Sequence, residues 1–408
     1  MNSIDAQLDE NMFAPEIVED PYSYYGHLRE TDPVHWNDLH QTWVITRADD
    51  VTWVGRKSEL FSSAVFLRDQ RPPYPPIADE DLAEHAFVKQ NLIQRITNID
   101  PPEHRGPRGL LKPYFTAAMS ERWRQMVNDA VAQLLDNLEG RTSMDVMADF
   151  AVPLPLNVIA EIMDVPEGDR YRVREIAEKL LIGPRADPGR MREISTAMRD
   201  MYELVTPLIE ARIADPGEDL ISLLAQGEKQ GVLTRDQTLQ NATMLLVAGH
   251  ETTINLICNG LLAFIAHPEQ WDRLQADPQG LAAAATEECL RYDPPVKSLE
   301  RIATTDVELR GKQIRAGDRV RIFLSSANRD PRRFSDPDTF DITRPNNRHI
   351  SFGHGIHLCL GAPLARIEGQ EVLMALATRF PRFKLETDPV IYAPMLDLRS
   401  ARALQVSW

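Results

Sequence analysis

The sequence predicts a mainly α-helical protein with a smaller β-rich region, arranged as a single domain over residues 1–408. From about residue 119 to residue 267, apolar residues recur at helical spacing with few interruptions. Short alternating runs rich in aromatic and β-branched residues lie towards both ends of the chain. We therefore expect helices and strands in separate stretches: helices within about 100–295 and 360–380, and strands within about 33–65, 296–325 and 383–408.

Near the start, two short strands are predicted at "PVHWND" and "QTWVITR", because aromatic and β-branched residues are frequent in both. Helical patterns flank these strands at "PYSYYGHLRE" and "ADDVTWVGRK". The segment 69–80, "DQRPPYPPIADE", contains four prolines and no periodicity, which predicts a loop.

The most informative element is a long helix predicted to start at Thr234 and to end at about Ala266. Thr234 is a favourable N-cap with Gln237 three residues later, and Pro268 follows the predicted end. At ~1.5 Å per residue such a helix is roughly 48 Å long, enough to cross a whole domain. An earlier helix is predicted at "SERWRQMVNDAVAQLLDNLEG", where Gly140 terminates it.

The last part of the chain mixes both kinds of element. A helix is predicted to end near Tyr292, and "LERIATTDVELRGKQIRAGDRVRIFL" then alternates with glycine turns, which predicts short strands. A final helix should begin just after Cys359, and "RALQVSW" should close the chain as a strand.

Composition excludes several classes of function. Hydrophobic residues make up 43% and charged residues 26%, which is ordinary for a globular protein. The net charge of −16 repels nucleic acid and anionic membrane, so neither is an expected partner. Three cysteines do not describe a disulfide framework, and the acidic N-terminus does not resemble a signal peptide. The few cysteines, without paired spacing, fit a reducing cytoplasm best. No apolar run approaches the roughly 20 residues that span a bilayer, so we expect a soluble protein.

The segment "SFGHGIHLCLGAPLAR", residues 351–366, raises the question of what Cys359 does. A zinc site is possible by spacing with His349, His354 and His357, but no second ligand pair lies nearby. The glycines do not match a nucleotide-binding G-x-G-x-x-G, and a buried structural thiol would not need so many of them. A cysteine just before a helix meets backbone N–H groups and the helix dipole, which favour the thiolate.

The segment "FGHGIHLCLG" resembles the haem-binding signature of the cytochromes P450, with six residues in matching places: Phe352, Gly353, Gly355, His357, Cys359 and Gly361. The resemblance covers roughly residues 20–408, with four landmark segments in family order. It implies the cytochrome P450 fold, heme b (iron protoporphyrin IX) as cofactor, and Cys359 as the axial thiolate of the iron.

A second landmark is "EECLR", which resembles the Glu-x-x-Arg of the family and places Glu288 and Arg291 three residues apart on one helical face. Arg344 in "DTFDITRP" is the matching third member. Considered without the family, such a pair is more often a solvated surface bridge worth a few tenths of a kcal/mol, on the order of 0.3. The resemblance implies a structural role instead.

A third landmark, "AGHETT", lies in the middle of the long helix, where Ala248 and Gly249 precede an acid and an alcohol. Glycine costs about 1 kcal/mol relative to alanine inside a helix, so a need for space is expected there. In the family this helix passes over the haem and holds O₂ in a local groove. The resemblance assigns proton delivery to Glu251 and Thr252, with Glu in place of the more frequent Asp.

The haem propionates need cationic or hydrogen-bonding partners when buried. "DPPEHRGPR" offers His104 and Arg108, and "LERIATTD" offers Arg301. Both segments, and His357, resemble the family's propionate-contacting residues. Without the resemblance, an arginine-rich turn is most often a solvated face.

The resemblance implies a soluble bacterial-type monooxygenase that inserts one atom of O₂ into a small or medium, mostly apolar substrate. Electrons should come from separate proteins, a ferredoxin or flavodoxin with its reductase, because the chain contains no motif of a fused reductase. An acidic carrier would need a basic patch, for which the candidates are Lys112, Arg105, Arg348 and Arg366. Two alternatives remain, a peroxide-driven peroxygenase and a non-enzymatic haem-thiolate sensor or carrier. A monomer is expected.

By family analogy an apolar substrate pocket is expected. Its candidate residues are Phe66, Leu67, Phe87, Met244, Val247, Ala248, Val296, Leu299 and Leu396. Nothing in this set demands a charged substrate. Arg95 could anchor a carboxylate, but a surface position is the expectation for it.

Overall fold

A computed structural model of the chain describes residues 11–12, 14–69, 77–181, 190–386, 389–393 and 397–408. It divides into two compact units. The first unit comprises Met1–Phe61, Ala117–Pro155 and Glu251–Trp408, and the second comprises Ser62–Thr116 and Leu156–His250. The prediction that residues 1–408 form one domain stays a prediction.

Helices predominate in the described residues, as the sequence predicts. They are α1 (Pro15–Glu19), α2 (Pro21–Thr31), α3 (Ala48–Arg56), α4 (Val65–Arg68), α5 (Leu82–Gln90), α6 (Arg105–Leu111), α7 (Ala117–Asp136), α8 (Pro153–Ile162), α9 (Glu167–Leu181), α10 (Met191–Ala214), α11 (Leu220–Lys229), α12 (Arg235–Ala266), α13 (Pro268–Ala276), α14 (Pro278–Tyr292), α15 (Leu324–Ala327) and α16 (Ala362–Arg379).

The described strands are short. They are β1 (Val34–Asn37), β2 (Thr42–Ile45), β3 (Phe61–Ser62), β4 (Ser143–Asp145), β5 (Ser298–Ala303), β6 (Val307–Leu309), β7 (Lys312–Ile314), β8 (Arg319–Phe323), β9 (Lys384–Leu385) and β10 (Gln405–Ser407). The mainly α class with a smaller β-rich part is therefore confirmed.

The main sheet joins strands from both ends of the sequence in the order β1-β2-β8-β5-β3. The β1–β2 hairpin is antiparallel, with Val34 opposite Ile45, whereas β2 and β8 are parallel, with Thr42 opposite Arg319. One face of the sheet packs on α3 through a cluster of buried apolar residues that includes Ile45, Val51 and Ile322. We call this apolar cluster the β core of the first unit.

The long helix α12 has the bounds that the sequence predicts. The Thr234 amide donates to Gln237 Oε1 at 2.9 Å, and the Gln237 amide donates to Thr234 Oγ1 at 3.1 Å. This reciprocal pair is a capping box, and Pro268 opens α13 directly after the helix ends. The helix crosses the boundary between the units, with residues 235–250 in the second and 251–266 in the first.

The second unit is helical in its described residues. Its helices α5 and α10 pack around an apolar cluster built on Val88, Leu92, Met191, Ile194 and Met198. The turn between α5 and α6 is fixed to α12, because Gln240 and Asn241 accept hydrogen bonds from the Gln94 and Ile96 amides, each at 2.9 Å.

Some features differ from the sequence prediction. Strand β4 lies within the stretch predicted to be helical and pairs with β10, with Met144 opposite Val406. Residues 70–76 of the predicted loop at 69–80 lie outside the described residues. Of the helices that the structure describes, none alone is long and apolar enough to cross a membrane, although the bent pair Val146–Ile162 and Glu167–Leu180 meets those requirements when joined.

Candidate active site

The cysteine loop, residues 350–361, is shaped by two glycines in left-handed backbone conformations. Gly353 has φ of 73° and Gly355 has φ of 74°. A Cβ on Gly355 would lie 2.7 Å from the Gly55 carbonyl oxygen, so the loop approaches α3 too closely for any other residue. The Cys359 amide donates to the Phe352 carbonyl at 3.0 Å and closes the loop. Both glycines are therefore required by the backbone, as the resemblance implies.

Cys359 is presented differently from the other two cysteines. Its side chain is exposed, and the adjacent Leu358 is also exposed, at 45%. Helix α16 begins three residues later, with Gly361 as its N-cap. Cys258 and Cys289 are buried, and burial raises the pKa of both thiols. Cys359 is thus the cysteine that can ligate an external group, with an apolar residue beside it.

The zinc alternative is not supported by the histidines nearby. His349 Nε2 lies 3.1 Å from Glu287 Oε2, and its Nδ1 accepts the Ser351 amide at 3.2 Å. Both ring nitrogens of His349 are therefore engaged away from Cys359. Within the described ranges, no group of three His, Cys, Asp or Glu side chains is placed to hold a metal ion.

Glu288, Arg291 and Arg344 come together in the first unit. Glu288 and Arg291 are completely buried, and Arg291 Nε and Nη2 each donate to the carboxylate at 2.8 Å. Arg344 Nε donates to Glu288 Oε1 at 3.2 Å. The same carboxylate accepts the Asp341 amide at 2.9 Å and Asn347 Nδ2 at 3.0 Å. The pair is therefore a buried network and not a surface bridge.

The middle of α12 has one accessible stripe on a largely buried helix. Ala248 is exposed and Thr252, one turn later, is partly accessible, whereas His250 and Thr253 are buried. A Cβ on Gly249 would lie 2.6 Å from Ile159 Cγ1. The space that the sequence leaves at Gly249 is therefore filled by Ile159, which sequence reasoning did not identify.

Glu251 is an unusual acid on this helix. It is 5% exposed, and its Oε1 makes no hydrogen bond to any described residue. Burial raises the pKa of Glu251 to about 8, so the carboxyl is mostly protonated at neutral pH. A buried, neutral acid beside an accessible hydroxyl can hold and release a proton.

Three further polar residues of the first unit escaped sequence reasoning. Thr253 donates to Glu368 Oε2 at 2.8 Å, which ties α12 to α16, and burial raises the pKa of Glu368 to about 8. Asn255 is fully buried, and neither atom of its amide has a partner in the described part of the chain. The sequence carried one signal for Glu368, because this acid lies on the apolar face of the last predicted helix, at "ARIEGQE".

The four propionate candidates are split between the units. In the second unit, His104 is buried at the start of α6 and Arg108 is partly accessible one turn later. Burial and the Arg108 charge lower the pKa of His104. In the first unit, Arg301 is buried on β5, and His357 is partly accessible in the cysteine loop. Each unit therefore offers one histidine and one arginine.

The pocket candidates also lie in both units. In the second unit, Phe66 and Phe87 pack on the apolar cluster, Met244 is buried, Val247 is partly accessible, and Leu67 is 58% exposed. In the first unit, Val296 and Leu299 pack on the β core. Leu396 lies outside the described residues.

The expectation of a surface position for Arg95 holds only in part, because the side chain is partly accessible although its turn lies against α12. Its Nε is buried, and desolvation lowers the pKa of the guanidinium to about 10. Sequence reasoning missed this because the turn that carries Arg95 is drawn against α12 by contacts between residues about 145 positions apart.

Comparison with known proteins decides the family. A sequence model of the family "Cytochrome P450" matches residues 175–397. The biotin biosynthesis cytochrome P450 of Bacillus subtilis is 35% identical over 399 residues, 96% of this chain and 97% of that protein. The 6-deoxyerythronolide B hydroxylase of Saccharopolyspora erythraea is 35% identical over 396 residues, 95% of this chain and 96% of that protein.

The chain belongs to the cytochrome P450 family.

A solved P450 structure agrees with this assignment along nearly the whole chain. P450BioI in complex with hexadec-9Z-enoic acid ligated acyl carrier protein superposes with a TM-score of 0.87 and 34% identity, covering 97% of this chain and 99% of that chain. This P450 is therefore an oxidoreductase that binds heme b and acts as a monooxygenase on a small-molecule substrate, with O₂ and redox partners. The expectation of an enzyme is confirmed.

The buried charge network generates a stability prediction. Glu288→Ala removes the carboxylate and leaves Arg291 buried without its counter-charge, which costs on the order of 3–5 kcal/mol. We expect little soluble, haem-loaded protein, measured as yield and as the free energy of unfolding in urea. Glu121→Ala, on the exposed face of α7, is the matched control and should change stability by less than about 0.5 kcal/mol. Normal stability of Glu288→Ala would contradict the structural role.

Proposed function

We propose that Cys359 ligates the haem iron as thiolate, and that Glu251 and Thr252 deliver protons while one oxygen atom of O₂ enters an apolar substrate. The observation that carries this proposal is that one unit, the first, contains both the exposed Cys359 thiol and the buried, protonated Glu251. Glu251 directly precedes Thr252, which is partly accessible. When bound, haem with a thiolate ligand supplies the O₂ chemistry, because the thiolate favours O–O cleavage.

The residues around Cys359 suit a thiolate ligand. The sulfur lies just ahead of α16, where backbone N–H groups and the helix dipole stabilise negative charge. Phe352, Gly353 and Gly361 shape the loop, and a Cβ on Gly361 would come no nearer than 4.0 Å to Sγ. Arg301 and His357 in the first unit, and His104 and Arg108 in the second, are the proposed partners of the propionates.

Proton delivery is the proposed task of the α12 residues. Glu251 carries its proton at neutral pH because burial raises its pKa to about 8. Its Oε1 has no partner in the described structure, so no hydrogen bond of that oxygen has to break when the proton is passed on. Thr252, which is partly accessible, offers the hydroxyl that passes the proton on.

We further propose that the electron donor is a ferredoxin or flavodoxin with its reductase, and that the protein acts in the cytoplasm as a monomer. A basic cluster near the cysteine loop supports an acidic donor. Burial lowers the pKa of Arg333 against the opposing effect of Asp49, and Arg56 and Arg348 each lower it further. Burial, Arg56 and Arg333 lower the pKa of His354. Arg366 is less suitable, because it is paired with Glu287 at 2.7 Å and 3.1 Å. Lys112 and Arg105 are exposed in the second unit.

The first test is the coupling of electrons to product. Thr252→Ala removes the hydroxyl, while alanine suits a helix, so we expect haem binding to remain. NAD(P)H consumption with redox partners should continue, but most electrons should appear as hydrogen peroxide. Product per NAD(P)H should fall at least about tenfold, since positioned proton transfer contributes about 10²- to 10⁴-fold.

Thr378→Ala is the control for that variant, because Thr378 is an exposed residue of the same unit on α16. It should leave coupling unchanged. If Thr252→Ala couples as well as the wild type, another group delivers the proton. If peroxide drives turnover as fast as NAD(P)H with redox partners, the peroxygenase alternative is correct.

The second test is pH dependence. The raised pKa means that Glu251 loses its proton as pH increases through about 8, so product per NAD(P)H should fall across that range. Glu251→Gln cannot titrate, so its turnover should be slow and flat between about pH 6 and 9. A wild-type coupling profile without this alkaline fall, or a fall retained in Glu251→Gln, would remove Glu251 from the relay.

A further inference from the structure

Arg95 is held in place by its neighbours on both sides. The Gln94 and Ile96 amides donate to Gln240 and Asn241 of α12, each at 2.9 Å. Gln240 Nε2 also donates to the Gln90 carbonyl at 3.3 Å. The backbone at Arg95 is therefore fixed against α12, within the second unit.

The Arg95 guanidinium lacks a counter-charge in the described structure. Its Nε is buried and makes no hydrogen bond there, and no described carboxylate forms an ion pair with it. Desolvation lowers its pKa only to about 10, so the group stays cationic at neutral pH. Arg199, in the same unit, has the carboxylate partner that Arg95 lacks, because it donates to Glu84 Oε2 at 2.9 Å. Arg95 as a whole is partly accessible, so the buried, unpartnered part of the guanidinium is its Nε, and an anionic ligand would offset the desolvation of this cation.

Tyr202 on α10 supplies a second donor. Its hydroxyl is buried and makes no hydrogen bond to a described residue. Arg95 and Tyr202 influence each other electrostatically, since burial raises the pKa of Tyr202 and the Arg95 charge lowers it by a smaller amount. The acid that also influences Tyr202 is Asp236, and Asp236 is exposed. Arg95 Nε and the Tyr202 hydroxyl are thus two buried donors without an acceptor in the described residues, and each group acts on the charge of the other.

The surroundings of this pair are apolar. Tyr202 packs against the cluster built on Val88, Leu92, Met191, Ile194 and Met198. Phe66 and Phe87, which the sequence predicts to line the substrate pocket, pack against the same cluster. An occupant of this region would therefore meet the hydrocarbon of the cluster and the unpartnered Tyr202 hydroxyl.

We propose that Arg95 and Tyr202 bind the carboxylate of the substrate, which is an apolar molecule carrying one such group. The planar guanidinium matches a carboxylate in a two-pronged hydrogen-bonded pair, and the tyrosine hydroxyl can donate to either oxygen. A phosphate monoester carries two negative charges, and the single positive charge of Arg95 would not neutralise both. This assignment rests on the proposed function, since it names the substrate class of that same monooxygenase.

The test compares three probes of equal chain length on the haem-loaded protein: dodecanoate, 1-dodecanol and methyl dodecanoate. Dissociation constants are measured by calorimetry. We expect the wild type to prefer dodecanoate by about 10- to 100-fold, as expected for a buried charged pair. Arg95→Gln should reduce that preference to less than about threefold while leaving the alcohol affinity unchanged, and Tyr202→Phe should give an intermediate loss.

Arg192→Gln is the matched control, because Arg192 is an exposed arginine of the same unit that pairs with Asp81. It should leave all three dissociation constants unchanged. The proposal is overturned if the wild type shows no preference for dodecanoate, or if Arg95→Gln keeps it. It is also overturned if Arg95→Gln weakens all three probes equally, which would indicate packing alone.

Thermal stability gives a second readout. Without ligand, Arg95→Met should have a higher Tm than the wild type, because an uncompensated buried charge is removed. Dodecanoate should raise the Tm of the wild type more than that of Arg95→Met. A lower Tm for ligand-free Arg95→Met would assign Arg95 a structural role.

These measurements need no turnover. A preference for the carboxylate without oxygenated product would support the carboxylate site of Arg95 and Tyr202 and contradict the proposed function. Equal affinity for acid and alcohol, with product formed from both, would support the proposed function and contradict the carboxylate site.

Discussion

The buried Glu288 carboxylate is the constraint on which the arrangement around Cys359 depends. It receives hydrogen bonds from Arg291, Arg344, Asn347 and the Asp341 amide. One acid on α14 therefore binds the segment 328–349, between α15 and the cysteine loop, which has little regular secondary structure. Because that segment lacks strand or helix hydrogen bonds, side chains must satisfy its backbone. The segment leads directly into the cysteine loop, whose position α14 thereby controls.

Other contacts extend this control to the loop itself. Ser351 Oγ donates to the Leu290 carbonyl at 2.6 Å, and Asn328 bridges the Ile350 amide and Ser351 Oγ, each at 2.8 Å. Gly353 and Gly355 then turn the chain so that Cys359 emerges just before α16. On α12, Thr253 reaches Glu368 of α16, which links the proposed proton relay to the helix behind the thiol.

The sequence could predict features that depend on local chemistry. The bounds of α12 follow from the capping box at Thr234 and Gln237 and from Pro268, and the bend at Cys359 follows from Gly353 and Gly355. Features that depend on distant partners could not be predicted. Strand β4 exists because it pairs with β10 about 260 residues later, and Gly249 is needed because Ile159 fills its space. The Nε of Arg95 is buried in a turn that α12 holds in place. The burial of Glu288 belongs to the same class, and only the family resemblance indicated it.

Thiolate ligation by Cys359 is the central claim, and the spectrum of the reduced protein with carbon monoxide tests it most directly. The wild type should show the strongly red-shifted Soret band that is diagnostic of a thiolate ligand, and Cys359→His should retain haem but lose this band. Cys258→Ser and Cys289→Ser, which change the two buried thiols, should keep the band wherever they fold. A red-shifted band that persists in Cys359→His, or its absence from the fully haem-loaded wild type, would contradict the account.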